Sequence, residues 1–308
     1  MEERKSTNHN LFLIGAGFTK AVFPDAPLNE DLLSVLCQGT PCTTLKKYHR
    51  EYKTNDIEIL LTRLDLDTLH PKARQQTALR QVRNAIERQL AEYFRRFRFD
   101  EELVKQKSWL ESVVHLFRED DVIITTNYDC FLEGLMDYYG VWTPNRGYPK
   151  LDCPSPSCPK NPKNILIYKI HGSEHFVEFP LLSPDCVTEN TTIRFPFNES
   201  IYPISGKNAY LDSDIPGLTG PYIIAPSFIK SPHHYIERIM IDALQVAPKA
   251  KNLIIIGSGL RVEDSFLWLL LSAFIEPCVP NNREKKLVIV DPKAEEIRYK
   301  ITKHCMWD

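Results

Sequence analysis

The chain has 308 residues, with 38 lysines and arginines against 40 aspartates and glutamates, and is 43% hydrophobic and 25% charged. Those fractions belong to a globular protein with a real core and exclude a disordered chain. Near charge balance gives no indication of nucleic-acid contact, and the longest apolar run, 266–275 (FLWLLLSAFI), is too short for a spanning helix.

The start of the chain, MEERKSTNHN, is polar and lacks the regions of a secretory signal. Eight cysteines without dense regular spacing suggest reduced thiols and a cytoplasmic protein. Taken along the chain, short runs rich in branched apolar residues predict strands at 10–14 (NLFLI), 121–126 (DVIITT), 165–170 (ILIYKI), 222–225 (YIIA), 252–256 (NLIII) and 287–290 (LVIV). Continuous apolar runs of this length fit strands buried on both faces of a parallel sheet. Helical periodicity is clearest over 78–97, where Leu79, Val82, Ile86, Leu90, Phe94 and Phe97 recur at steps of three or four. The arginines between 80 and 98 are expected on a solvated face of that helix. Further helices are predicted at 130–138, 233–246, 263–274 and 292–302.

Alternating strands and helices predict an α/β fold, a Rossmann-like doubly wound, mostly parallel sheet. About a hundred residues separate the first two strands, which predicts a helical insertion over roughly 28–118. A Pro/Cys-rich loop spans 141–164, and 177–220 shows no long periodic segment, so irregular structure is expected there. With no internal repeat, the simplest organisation is one domain over 1–308.

Glycine is scarce, with 12 in the chain, yet Gly15, Gly17, Gly172, Gly257 and Gly259 all follow directly on predicted strands. Strand C-termini form the ligand crevice of an open α/β sheet, and glycine there lets backbone approach a phosphate or a sugar. The first cluster, Gly15-Ala16-Gly17-Phe18-Thr19-Lys20, enters a helix start whose N–H groups are expected to face a pyrophosphate. It has Lys20 where the dehydrogenase fingerprint has a third glycine, which disfavours hydride transfer, and no P-loop occurs. The second, Thr125-Thr126-Asn127-Tyr128-Asp129, places polar side chains beyond an apolar strand, where burial is costly unless they bind something. Capping of the next helix accounts for Asp129 alone. The third, His171-Gly172-Ser173, would bring a histidine to the same crevice.

Gly15-Ala16-Gly17-Phe18-Thr19, Thr125-Thr126-Asn127-Tyr128-Asp129, His171-Gly172-Ser173 and Gly257-Ser258-Gly259-Leu260, in this order, resemble the motifs of the sirtuin superfamily. The resemblance runs from about residue 10 to 292, where Val290-Asp291-Pro292 is similar to an adenosine-contacting turn. It departs from the protein deacylases. Their four-cysteine zinc module follows the histidine motif, whereas here Cys153 and Cys158 precede it and Cys186 alone comes soon after. Zinc is therefore not expected, whether on those cysteines or with His175 added, and no metal ligands are assigned. The Thr-Thr-Asn-Tyr-Asp form and Pro226 before a helix resemble instead a bacterial sirtuin-like branch that destroys NAD+ during phage infection.

That resemblance implies an NAD+ glycohydrolase that cleaves NAD+ to nicotinamide and ADP-ribose, an abortive-infection effector with NAD+ as substrate and no other cofactor. It implies Asn127 and His171 as catalytic residues, Asn127 placing water and ribose hydroxyls with an amide that donates and accepts, His171 as general base. Gly15, Ala16 and Gly17 would hold the pyrophosphate, with Phe18 and Thr19 completing the turn. Asp129 would bind the nicotinamide carboxamide or orient Asn127; Gly257 and Ser258 would meet adenosine, and Asp291 a ribose hydroxyl. An effector of this kind needs a switch, so a separately encoded sensor or regulatory protein, or homo- or hetero-oligomer assembly, is expected. An NAD-dependent protein deacylase and a non-catalytic NAD or ADP-ribose sensor are the alternative readings.

Overall fold

The computed structural model describes residues 9–37, 42–69, 73–144, 147–149, 161–180, 191–194, 219–229, 234–275 and 285–305. Its centre is a five-stranded sheet built from β1 (Asn10–Ile14), β2 (Val122–Thr125), β3 (Leu166–Lys169), β7 (Asn252–Ile256) and β8 (Lys286–Val290), in the order β3-β2-β1-β7-β8. Every pairing in it is parallel, with Ile14 level with Thr125 on one side and Ile256 on the other. The Rossmann-like class predicted from the apolar runs is the observed one. Central strand β1 is buried at all five positions, as a strand covered on both faces must be. β8 differs: it is the outer strand, and Val288 and Val290 are exposed.

β1 lies between β2 and β7, which follow it at different distances along the chain. The crossovers therefore diverge at its C-terminal end and leave a crevice there. Helix α1 (Ala16–Val22) leaves β1 directly, and α8 (Phe131–Tyr138) follows β2. Between them run α2 (Asn29–Leu36), α3 (Cys42–Tyr52), α4 (Ile57–Thr68), α5 (Ala73–Phe94), α6 (Glu101–Gln106) and α7 (Trp109–Leu116). Leu33, Leu60, Leu64, Ile86 and Leu90 of this helical stretch form an apolar cluster of their own, which also takes in Tyr128, Ile223 and Ala225. The helices are thus packed against the crevice rather than away from it.

Three expectations need correcting. The run 222–225 does not join the parallel sheet: β6 (Thr219–Ile223) pairs antiparallel with β4 (Gly172–Pro180), which also pairs with β5 (Thr191–Arg194) in a second sheet, β5-β4-β6. Gly172 turns the chain sharply after β3 with φ at +77°, so β4 heads out of the main sheet and takes β6 as its neighbour. The stretch 177–220, expected to be irregular, accordingly contains strand in its described parts. The α5 arginines are not all solvated either. Arg83 pairs with Asp65 at 2.8 Å and Arg95 with Glu174 at 3.1 Å, both largely buried.

Helices α9 (His234–Val246), α10 (Ser265–Ile275) and α11 (Ala294–Cys305) complete the described elements. The described parts of 141–164 are without helix or strand until β3's approach, while half of its prolines and both cysteines, Cys153 and Cys158, lie outside the described residues, as does Cys186. Among the described residues, no helix is long and apolar enough to cross a membrane.

Candidate active site

A cavity of about 990 Å³ opens at the C-terminal ends of β1, β2, β7 and β8. All eleven candidate residues line it: Gly15, Ala16, Gly17, Phe18 and Thr19 after β1, Asn127 and Asp129 after β2, His171 after β3, Gly257 and Ser258 after β7, and Asp291 after β8. Leu28 and Leu32, Phe94, and Trp109 and Val113 from the helical stretch supply an apolar wall. The volume falls at the upper end of the range for small-molecule sites.

The glycines serve the packing of the loops around the cavity. The Gly15 N–H donates to the Ile256 carbonyl at 3.0 Å and the Gly17 N–H to the Gly257 carbonyl at 2.8 Å. These two N–H groups are taken by the neighbouring loop. Gly257 itself is left-handed, with φ at +60°, and a Cβ there would lie 2.3 Å from the Phe18 nitrogen. The three glycines let two strand-end loops interlock backbone to backbone, which shapes the cavity floor. Phe18 is buried, its ring packed against Trp109 and Phe131. Ser258 sits against Gly15. One carboxylate oxygen of Asp291 accepts the Lys293 N–H at 2.8 Å, fixing the turn into α11.

After β2, Thr125 accepts the Asn127 N–H through Oγ1 at 3.1 Å and so stabilises the turn rather than lining the cavity. Asn127 donates through Nδ2 to the Gly15 carbonyl and to Thr19 Oγ1, both at 3.1 Å. A carbonyl can only accept, so this pair of bonds fixes which end of the amide is which. Asn127 Oδ1 is buried and has no hydrogen-bond partner among the described residues. The amide therefore does not both donate and accept toward a ligand; only its acceptor remains.

Thr19 Oγ1 in turn donates to Asp129 Oδ2 at 2.9 Å, while Asp129 Oδ1 accepts the Phe131 N–H at 3.1 Å. Both carboxylate oxygens are engaged inside the protein, and Asp129 acts on Asn127 through Thr19. Burial pushes its carboxyl up to about 6, with Lys169 nearby pulling the other way. Since an unfolded aspartate titrates near 4, the folded state holds this proton more tightly. Asp129 therefore makes folding less favourable as pH rises from about 4 to about 6, and its contribution is flat above that. Denaturant unfolding of wild type and Asp129→Asn should show a stability difference that changes through this window; a difference constant from pH 4 to 7 refutes the assignment.

His171 meets a residue that the sequence did not mark. Its Nε2 lies 3.1 Å from Asp264 Oδ2, and both side chains are close to nine-tenths buried. Asp264 immediately precedes α10 and also lines the cavity. An aspartate between a Gly-Ser-Gly loop and an apolar helix is a usable signal, hidden when the helix is started at 263. Arg261 was also missed. It lines the cavity and reaches Asp56 at 3.2 Å and Glu58 at 3.3 Å, tying the loop after β7 to α4.

Behind Asp129 lies a closed polar cluster. Lys169, fully buried on β3, donates to Glu133 Oε1 at 2.7 Å and to the Asp129 carbonyl. Burial is the largest influence and works against its charge, but Glu133, Cys130 and Asp129 together more than offset it and lift the ammonium to about 12. Tyr148 donates to Glu133 at 3.3 Å, and His175 bonds Ser173 and Cys130 through Nδ1. Burial holds the His175 imidazole well below its usual range and pushes the Cys130 thiol up. Cys130, Glu174 and His175 bring three potential metal ligands together. The 2.6 Å separation of Cys130 Sγ and His175 Nδ1 leaves no room for an ion between them, since bonds of about 2.3 Å and 2.0 Å at tetrahedral angles hold the two donors farther apart.

No protein-family model matches the chain, and no curated protein matches it. Among solved structures, the chain is similar to a mutant Sir2 homologue in complex with ADP-ribose, at 14% identity and a TM-score of 0.38, over 99% of this chain and 97% of that one.

Proposed function

We propose that the protein is an NAD+ glycohydrolase. The observation that carries the reading is the convergence, in one cavity at the ends of parallel strands, of an unpartnered buried acceptor on Asn127 and a carboxylate-bound imidazole on His171. An orphaned acceptor in a built site calls for a donor on the ligand, and a ribose hydroxyl or a water is such a donor. Lys20, Lys293 and Lys300 on the same lining offer cations to the pyrophosphate.

In NAD+ the nicotinamide is a good leaving group on an anomeric carbon, and its departure develops oxocarbenium character in the ribose, as in glycoside hydrolysis. Asn127 Oδ1 would accept from the ribose hydroxyl or from the water poised near that carbon. His171 would take the proton as water adds, so that NAD+ and water give nicotinamide, ADP-ribose and a proton. Asp129 and Thr19 keep the Asn127 amide in register, and the apolar wall from α2, α5 and α7 limits the approach of bulk water.

Such an activity left unchecked would drain its own cell of NAD+. The motif resemblance, with this hazard, supports a cytoplasmic effector of antiphage defence, silent until a separately encoded partner or assembly of its own chain releases it. The test is chromatography of NAD+ incubated with the chain, alone and with the products of neighbouring genes. Equimolar nicotinamide and ADP-ribose is the expected result. Acetylated ADP-ribose formed only with an acyl-peptide would replace the hydrolase by a deacylase, and tight nucleotide binding without turnover in every mixture would make the protein a sensor.

A further inference from the structure

We infer that Asp264 is a positioning residue for His171: its carboxylate holds the proton on imidazole Nε2 and thereby makes Nδ1 the accepting nitrogen of the ring. The kinetic consequence rests on the hydrolase reading; the tautomer does not.

A carboxylate has acceptors only, so at 3.1 Å the nitrogen facing it carries the hydrogen. In a neutral imidazole the other nitrogen is then the acceptor, so the Asp264 contact favours the tautomer protonated on Nε2. The contact is also expensive to maintain. Withdrawing an aspartate carboxylate from water is unfavourable unless partners replace the solvent, and a mere surface turn needs no such arrangement.

Both ends of the bond are fixed by backbone. The His171 carbonyl accepts the Ile224 N–H at 2.8 Å, which locks the turn from β3 to β4. The Asp264 N–H donates to the Arg261 carbonyl at 3.1 Å, and the indole of Trp268 donates to the same carbonyl at 3.0 Å. The Arg261 guanidinium is held by Asp56 and Glu58 from the helical stretch. Leu260, buried with φ at +43°, completes a loop whose path is determined on every side. Asp264 also begins α10, its carbonyl accepting from Leu267 at 3.0 Å, so a capping function has to be separated from the effect on His171.

Two substitutions do so. Asp264→Ser keeps a good helix cap and removes the carboxylate; Asp264→Asn keeps the shape and can offer an N–H to Nε2. The full chain, labelled with ¹⁵N-histidine, is followed by long-range ¹H–¹⁵N correlation at a pH where the ring is neutral, with His171→Gln used only to assign the signal. Wild type should show His171 protonated on Nε2, and Asp264→Asn should move the proton to Nδ1 or mix the tautomers, with the melting transition kept. Under conditions where the wild type turns over, both variants should lose about 10²- to 10⁴-fold in kcat with KM nearly unchanged. A wild-type ring protonated on Nδ1, or a tautomer identical in all three proteins, overturns the inference whether or not NAD+ is hydrolysed. Full kcat in both variants overturns it as well. A wild type that never consumes NAD+ yet shows the Nε2 tautomer lost on substitution removes the hydrolase reading and leaves the positioning contact standing.

Discussion

His171→Ala is expected to lower NAD+ hydrolysis by about 10²- to 10⁴-fold, the range for loss of a general base, while leaving the fold and nucleotide binding close to wild type. The side chain is at the cavity edge, 11% exposed, and its main-chain bond to Ile224 survives the substitution. Truncation leaves Asp264 facing the gap, so His171→Gln, which can still donate to that carboxylate, is the gentler companion. The measurement is nicotinamide release at saturating NAD+, with binding of ADP-ribose followed separately by calorimetry. Loss of turnover with retained binding supports the base; loss of both would make His171 a structural member of the site. Full turnover in either variant would remove it from the mechanism and leave Asn127 and water alone at the anomeric carbon.

The main sheet was legible because its inner strands are largely covered, so NLFLI and NLIII are apolar in every position after the leading asparagine. The crevice was legible through its glycines, though for an incomplete reason. Gly15, Gly17 and Gly257 are forced by the contact of one loop with another, a relation between residues 240 positions apart that no local pattern contains. The same limit hid Arg261 with Glu58 and His171 with Asp264. The second sheet was illegible for another reason. β4 begins Gly-Ser-Glu-His, and its polar residues are satisfied by Tyr128, Arg95 and Cys130, all supplied by tertiary contact. Asn127 shows both sides: sequence marked the residue, but the direction of its amide is set by Gly15 and Thr19.

A lysine within the apolar run ILIYKI was a signal in its own right, because a buried ammonium without an anion is too costly to keep. Lys169→Met is expected to destabilise the protein by about 3–5 kcal/mol, the cost of breaking a buried ion pair from one side. The loss has two parts. Glu133, 1% exposed, would keep a carboxylate with Tyr148 as its remaining donor among the described residues, and the Asp129 carbonyl would lose the ammonium that anchors it. Removing the positive charge also raises the burden on Asp129, whose carboxyl Lys169 helps to keep ionised. The Thr19–Asn127 arrangement should therefore loosen, and nucleotide binding should weaken beyond what stability alone explains. Lys169→Met combined with Glu133→Leu separates the parts, since an apolar pair of similar volume costs little compared with a lone buried charge. Denaturant midpoints should recover most of the loss in the double variant, while ADP-ribose affinity should not, because nothing then holds the Asp129 carbonyl. Recovery of both would place Lys169 in the scaffold alone; recovery of stability without affinity ties this buried cation to the geometry of the cavity it never touches.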